Sequence, residues 1–157
     1  MADGEIHGQR EVIKEEGSSM INTAYCYMCD QDVDVIIKKE IEVHCLKGAD
    51  VRCEVENVYC QKCGAQVYIP MINDRNLDCI NLAYRKQHGI ITIHEIEELL
   101  ERYDIGAKPL ANLLGWGEVT IIRYLKGQIP DRIHSDTLIT LNDPREFANI
   151  FEKNRHN

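Results

Sequence analysis

The apolar residues of this chain change their spacing twice. Residues 1–19 are polar and acidic and hold no period, and we expect a disordered acidic tail to about residue 20. Between residues 33 and 56 the period is two. Val33, Val35, Ile37, Ile41, Val43 and Cys45 alternate with Asp34, Lys38, Glu40, Glu42 and His44. After a turn at Lys47-Gly-Ala-Asp50, Val51, Cys53 and Val55 alternate with Arg52, Glu54 and Glu56. One apolar face on adjoining strands predicts a half-buried antiparallel sheet. Val67, Tyr68 and Ile69 offer a last short strand before Pro70. From Asp74 the spacing turns helical. Leu77, Ile80, Ala83 and Tyr84, with Arg85 and Lys86 near the end and Gly89 as a stop, predict a connector helix.

Helical spacing then continues to the end of the chain. Thr92-Ile-His-Glu95 is a capping box, in which each side chain satisfies a free N–H of the first turn. The helix behind it carries Ile93, Ile96, Leu99, Leu100 and Tyr103 on one face and Glu97, Glu98, Glu101 and Arg102 on the other. Gly106 or Ala107 opens the next helix, where Pro109 is tolerated because it lies in the first turn. Its stripe of Leu110, Leu113 and Leu114 stops at Gly115. A second stripe, from Val119 through Ile122 to Tyr124 and Leu125, stops at Gly127. Two short helices about a Gly-containing turn predict a helix-turn-helix, with Ile122 and Leu125 pointing into the core. Beyond the turn at Gln128-Ile-Pro130, a helix over about 132–141 should turn Ile133, Leu138 and Leu141 inward. Asp143-Pro144, an N-cap followed by Pro, opens a last helix bearing Phe147, Ile150 and Phe151.

Chemistry enters with the cysteines. Cys26-Tyr-Met-Cys29 and Cys60-Gln-Lys-Cys63-Gly64 are two C-x-x-C pairs separated by residues 30–59. Each tight turn presents two thiolates, and two such knuckles complete the tetrahedron that Zn²⁺ prefers. Four thiolates leave no open position, so the expected cofactor is one structural zinc ion per chain, not a catalytic one. A redox reading of either pair lacks the βαβ context it needs. Cys45, Cys53 and Cys79 fall on apolar positions and are expected to be buried packing thiols. The fold class is therefore α+β in two domains. A zinc-ribbon-like antiparallel β module over 21–72 precedes a connector helix over 73–90. A five-helix bundle containing the helix-turn-helix occupies 91–157.

Composition narrows the function. Of 157 residues 44% are hydrophobic and 28% charged, as in globular proteins. No run approaches 18 apolar residues and no signal pattern opens the chain, so the expected location is cytoplasmic, with no membrane partner. The net charge of −8 is unevenly spread. The first 80 residues hold 8 Lys and Arg against 15 Asp and Glu, whereas the rest hold 10 against 11. From Ile105 to His134 the balance is positive, with Lys108, Arg123, Lys126 and Arg132 against Glu118 and Asp131. The acid thus belongs to the N-terminal half, and the helix-turn-helix is locally basic.

The two C-x-x-C pairs, the run Tyr84-Arg-Lys-Gln-His-Gly89 and the string Leu114-Gly-Trp-Gly-Glu-Val-Thr-Ile-Ile-Arg-Tyr-Leu-Lys-Gly127 together resemble the MqsA-type (YgiT-type) antitoxins. The resemblance covers residues 22 to 153. It implies a dimeric, zinc-stabilised repressor with a Cro/phage-repressor-like helix-turn-helix that binds a palindrome in its own promoter. Its N-terminal module would mask a toxin encoded beside it. Carried over by position, Cys26, Cys29, Cys60 and Cys63 match the zinc ligands. Glu118, Val119, Thr120 and Arg123 match the exposed turns of the recognition helix. The chain departs from the family at Gly106-Ala-Lys-Pro109, where a Ser/Thr cap followed by Gln is common, and at Ile122 and Leu125.

The expected function is accordingly sequence-specific binding of double-stranded DNA by a homodimer with antitoxin activity. Arg123 and Thr120 would read bases from a helix counted from Gly117, beside Val119. Lys108 and Lys126 would meet phosphates, and Glu118 would tune which base is accepted. The last helix is the first candidate for the dimer interface and the connector helix the second. The rival reading is a protein-interaction adaptor with a structural zinc module and little DNA binding. No nucleophile–base pair, phosphate loop or open metal site points to an enzyme.

Overall fold

The computed structural model describes residues 21–155, so the expected acidic tail over 1–20 lies outside the described residues. The architecture is α+β. Among the described residues three strands, β1 (Thr23–Cys26), β2 (Gln31–Leu46) and β3 (Ala49–Cys60), precede six helices: α1 (Pro70–His88), α2 (Ile93–Arg102), α3 (Ala107–Leu113), α4 (Thr120–Leu125), α5 (Arg132–Thr140) and α6 (Pro144–Asn154). These fall into two compact units that divide at Ala83–Tyr84, inside α1. Among the described residues no helix is long and apolar enough to cross a membrane.

The first unit is built on one long hairpin. β2 and β3 pair antiparallel without interruption from Val35↔Cys60 to Leu46↔Ala49, and β1 pairs only with the start of β2, from Thr23↔Asp34 to Cys26↔Gln31. Lys47 and Gly48 both take positive φ, 51° and 77°, which gives the two-residue turn whose twist matches the strands. The predicted single apolar face does not run the length of this hairpin. Near the cysteines Val33, Val35, Val58 and Cys60 are buried, but towards the turn the buried residues of β3 are Val51, Cys53 and Val55, on the opposite face. Val43 is 62% exposed and Cys45 is exposed, contrary to the expectation for both. On their strand the buried side belongs instead to Glu40, only 5% exposed. Its carboxylate accepts hydrogen bonds from Asn57 Nδ2 (2.5 Å) and the Tyr59 hydroxyl (2.7 Å), while Asn57 also donates to Glu42 (2.7 Å) and accepts from Gln66 (3.1 Å). Burial of a carboxylate is tolerable because the network satisfies it.

The outer edge of β3 is covered by the chain leading into α1. Cys60 N–H donates to Ala65 O (2.8 Å) and Val67 N–H to Val58 O (2.8 Å), yet this segment forms only an isolated bridge, Tyr59↔Gln66, not the expected strand over 67–69. The reason lies at Ile69, whose carbonyl accepts from Ile72 and Asn73 and so already opens α1 at Pro70, four residues before Asp74. Farther along the edge, α1 supplies side chains in place of a strand. Asn76 accepts from Glu56 N–H (2.9 Å) and donates to Glu56 O (2.8 Å), and the Cys79 thiol donates to Glu54 O (3.5 Å). Cys79 is therefore an exposed edge-capping thiol, not a buried packing one.

The second unit is the helical one. Ile91, Ile96, Leu99, Leu110, Ala111, Ile121, Tyr124, Leu138 and Leu141 form its core. The Thr92/Glu95 capping box is present, and Asp131 and Asp143 cap α5 and α6. Helices α3 and α4 stop the same way. Gly115 (φ 70°) and Gly127 (φ 108°) take the left-handed turn that lets the next N–H reach back, Trp116 to Ala111 O and Gln128 to Arg123 O. Two expected inward residues are displaced. Ile121 takes the core position assigned to Ile122, which is half-buried on the flank of α4, with Leu125 half-buried beside the core. Ile133 is 77% exposed, and Ser135 lies inward instead because its Oγ accepts the Ile91 N–H (2.8 Å).

Candidate functional site

Both knuckles sit where the sheet has three strands. β1 ends on Cys26, the turn to β2 carries Cys29, β3 ends on Cys60, and the pairing of Val35 with Cys60 sets the second knuckle beside the first. Each knuckle is closed by a residue in the left-handed region. Gly64 (φ 75°) closes the second, and Asp30 (φ 52°) closes the first and accepts a hydrogen bond from the Tyr25 hydroxyl. Asp tolerates this conformation better than most residues. The backbone N–H groups of Lys62 and Cys63 point at Cys60 Sγ, at 3.3 and 3.4 Å.

The four predicted sulfurs converge. Cys26 Sγ lies 3.6 Å from Cys63 Sγ, Cys29 Sγ lies 3.9 Å from Cys60 Sγ, and all four fall within 4.8 Å of one another. A tetrahedron with metal–sulfur bonds of about 2.3 Å has sulfur–sulfur edges of about 3.8 Å, so the cage fits a single metal ion. Electrostatics agree. The hydrogen bond to Cys63, then burial, pushes the Cys29 thiol up to about 12. Burial also raises Cys60, but the N–H groups of Cys63 and Lys62 outweigh it and leave that thiol at about 7. Crowded sulfurs do not all ionise without a cation among them. Val33, Val35, Val58, Val67 and Ile72 form one buried apolar cluster with Cys26 and Cys60.

The predicted residues of the helical unit share one surface. Gly117, Glu118 and Val119 form the turn into α4, and Thr120 N–H donates to Gly117 O (2.9 Å), so the helix begins three residues later than the count from Gly117. At 100° per residue, Val119, Arg123 and Lys126 point away from Ile121 and Tyr124, with Thr120 at one margin. Arg123 and Lys126 are exposed. Lys108 is brought to the same surface from the first turn of α3, but its ammonium lies 2.9 Å from the Glu118 carboxylate. Trp116 stacks on His134 at 3.8 Å between ring centres, and His134 Nδ1 lies 2.6 Å from the Tyr124 hydroxyl, which fixes the turn against α5.

Arg85 is the residue that sequence reasoning missed. It read as a basic end to the connector helix, yet it is wholly buried in the helical unit. Nη1 donates to Ile91 O (2.9 Å), and Nη2 donates to Tyr124 O (3.2 Å) and Gln128 O (3.0 Å) at the end of α4. Burial pulls its guanidinium below the ordinary value. The comparisons with known proteins find no matching family model and no matching curated protein.

Proposed function

We propose that this chain is a zinc-stabilised, sequence-specific DNA-binding regulator in which α3 and α4 act as a helix-turn-helix. The observation that carries the reading is the surface of α4. Arg123 and Lys126 stand exposed on the side opposite Ile121 and Tyr124, with Val119 and Thr120 beside them and the entry turn held by Trp116 and His134. Arg123 is the long donor suited to a bidentate contact with guanine, and Lys126 is suited to a phosphate. In the metal cage, Cys26, Cys29, Cys60 and Cys63 would hold Zn²⁺, whose softness and tetrahedral preference match four thiolates. Bound there, the ion supplies folding energy and no chemistry, since no position stays open.

In this reading the protein acts as a homodimer on a palindromic operator, because one short helix covers too few base pairs to specify a site. The resemblance to MqsA-type antitoxins adds a toxin as the partner of the cysteine-bearing unit and a cytoplasmic setting. The salt bridge of Lys108 with Glu118 favours the adaptor reading, since it withdraws one expected phosphate contact. Footprinting of the zinc-loaded protein on the DNA upstream of its own reading frame separates the two. Two protected half-sites one helical turn apart support the regulator, and no protection at any position overturns it.

A further inference from the structure

Among the described residues one edge of the hairpin is covered and the other, beyond Val35, is open. On β3 the outward backbone groups of residues 54, 56, 58 and 60 meet Cys79, Asn76, Val67 and Ala65. The uninterrupted register makes Val35, Ile37, Lys39, Ile41, Val43 and Cys45 the residues of β2 that face away from β3. Val35 N–H donates to Asn22 O (3.0 Å), the residue just before β1, and is the last group of this edge so covered among the described residues. Beyond it, the backbone groups of Ile37, Lys39, Ile41, Val43 and Cys45 have no hydrogen-bond partner among the described residues. A long uninterrupted edge of this kind is a template for another strand.

We propose that a second copy of this chain occupies it, pairing β2 antiparallel with β2 across a two-fold axis to make one continuous sheet. The charge order along the strand argues for a copy of itself. Lys38 and Lys39 precede Glu42, so reversing a second strand against the first sets opposite charges together. With the axis at Glu40, Lys38 of each copy faces Glu42 of the other, and Ile37 faces Val43, which is 62% exposed in the single chain. Glu40 itself falls on the axis without conflict. Its carboxylate is turned into its own hairpin, bonded to Asn57 and Tyr59. The interface is independent of the DNA-reading surface, so it can fail while that reading stands.

Amide hydrogen exchange of the full, zinc-loaded chain, read residue by residue by NMR, tests this directly. The amides of 38, 40, 42 and 44 face β3 and should be protected at every concentration. Those of 37, 39, 41 and 43 should exchange about tenfold or more slowly in concentrated protein and lose that protection on dilution, whereas that of Cys45, which falls opposite the Val35 already bonded to Asn22, should not. Ile41→Pro removes only an outward N–H, which an edge strand tolerates, and should abolish the protection of residues 39 and 43 while sparing the even-numbered amides. Protection that ignores concentration means that the chain's own N-terminal residues cover the edge, and it overturns the proposal. So does the absence of protection at any concentration.

Discussion

Arg85→Met tests how the helical unit is held together. Methionine keeps an unbranched apolar stem and removes the guanidinium. In the native unit that group donates to the carbonyls of Ile91 and Tyr124, which are buried, and of Gln128, which is partly so. A hydrogen bond to a charged group is worth about 1.5–3 kcal/mol, so the three amount to roughly 5–9 kcal/mol before any offset. The offset is the cost of keeping a cation from water, several kcal/mol, and methionine relieves it. The Ile91 and Tyr124 carbonyls stay buried whatever replaces the arginine, and they lose this donor. The net loss should be about 3–5 kcal/mol, as when one side of a buried polar pair is removed. A unit running from Tyr84 to Asn157 has roughly 4–11 kcal/mol to lose, at ~0.05–0.15 kcal/mol per residue. The melting temperature should fall by on the order of 15–30 °C. Arg85→Lys should do little better, because one ammonium cannot reach acceptors on three sides. Trp116, the single tryptophan, lies in this unit against His134 and reports its unfolding in urea. An unchanged urea midpoint for Arg85→Met would refute the reasoning.

Other substitutions separate the two units and their polar networks. Cys60→Ser should lose the bound metal and the apolar cluster that includes Cys26 and Cys60, measured by metal content and circular dichroism, while the Trp116 transition keeps its midpoint. Asn57→Leu takes donors from Glu40 and Glu42 and should destabilise the first unit by about 1–3 kcal/mol in a denaturant titration of the metal-loaded chain. Asp131→Ala removes the side chain that caps α5 through His134 N–H and should cost about 1 kcal/mol in the Trp116 transition.

The range of each interaction decides how legible it was in the chain. The cysteine cage was readable because two short motifs carry their own turns and need only be brought together. The helices were readable from caps such as Thr92/Glu95 and Asp143-Pro144, whose partners lie within three residues. The change of buried face along the hairpin was not. Alternation assumes that polar residues face water, and Glu40 and Asn57 satisfy each other inside instead. Ile121 and Ile122 are neighbours of equal hydrophobicity, so periodicity cannot choose between them. Arg85 carried the ordinary mark of a helix end, and the carbonyls that bury it at Tyr124 and Gln128 are remote in the sequence.

The regulator reading rests on α4, and a DNA titration of the zinc-loaded chain at two salt concentrations tests it most directly. The target is the stretch upstream of its own reading frame. Arg123→Ala should cost about 1–3 kcal/mol on that DNA and flatten the preference at one base position. Lys126→Ala should weaken every sequence alike and lower the salt slope by about one unit. Unchanged affinity in Arg123→Ala, or no affinity of the native chain for that DNA at either salt concentration, would contradict the account.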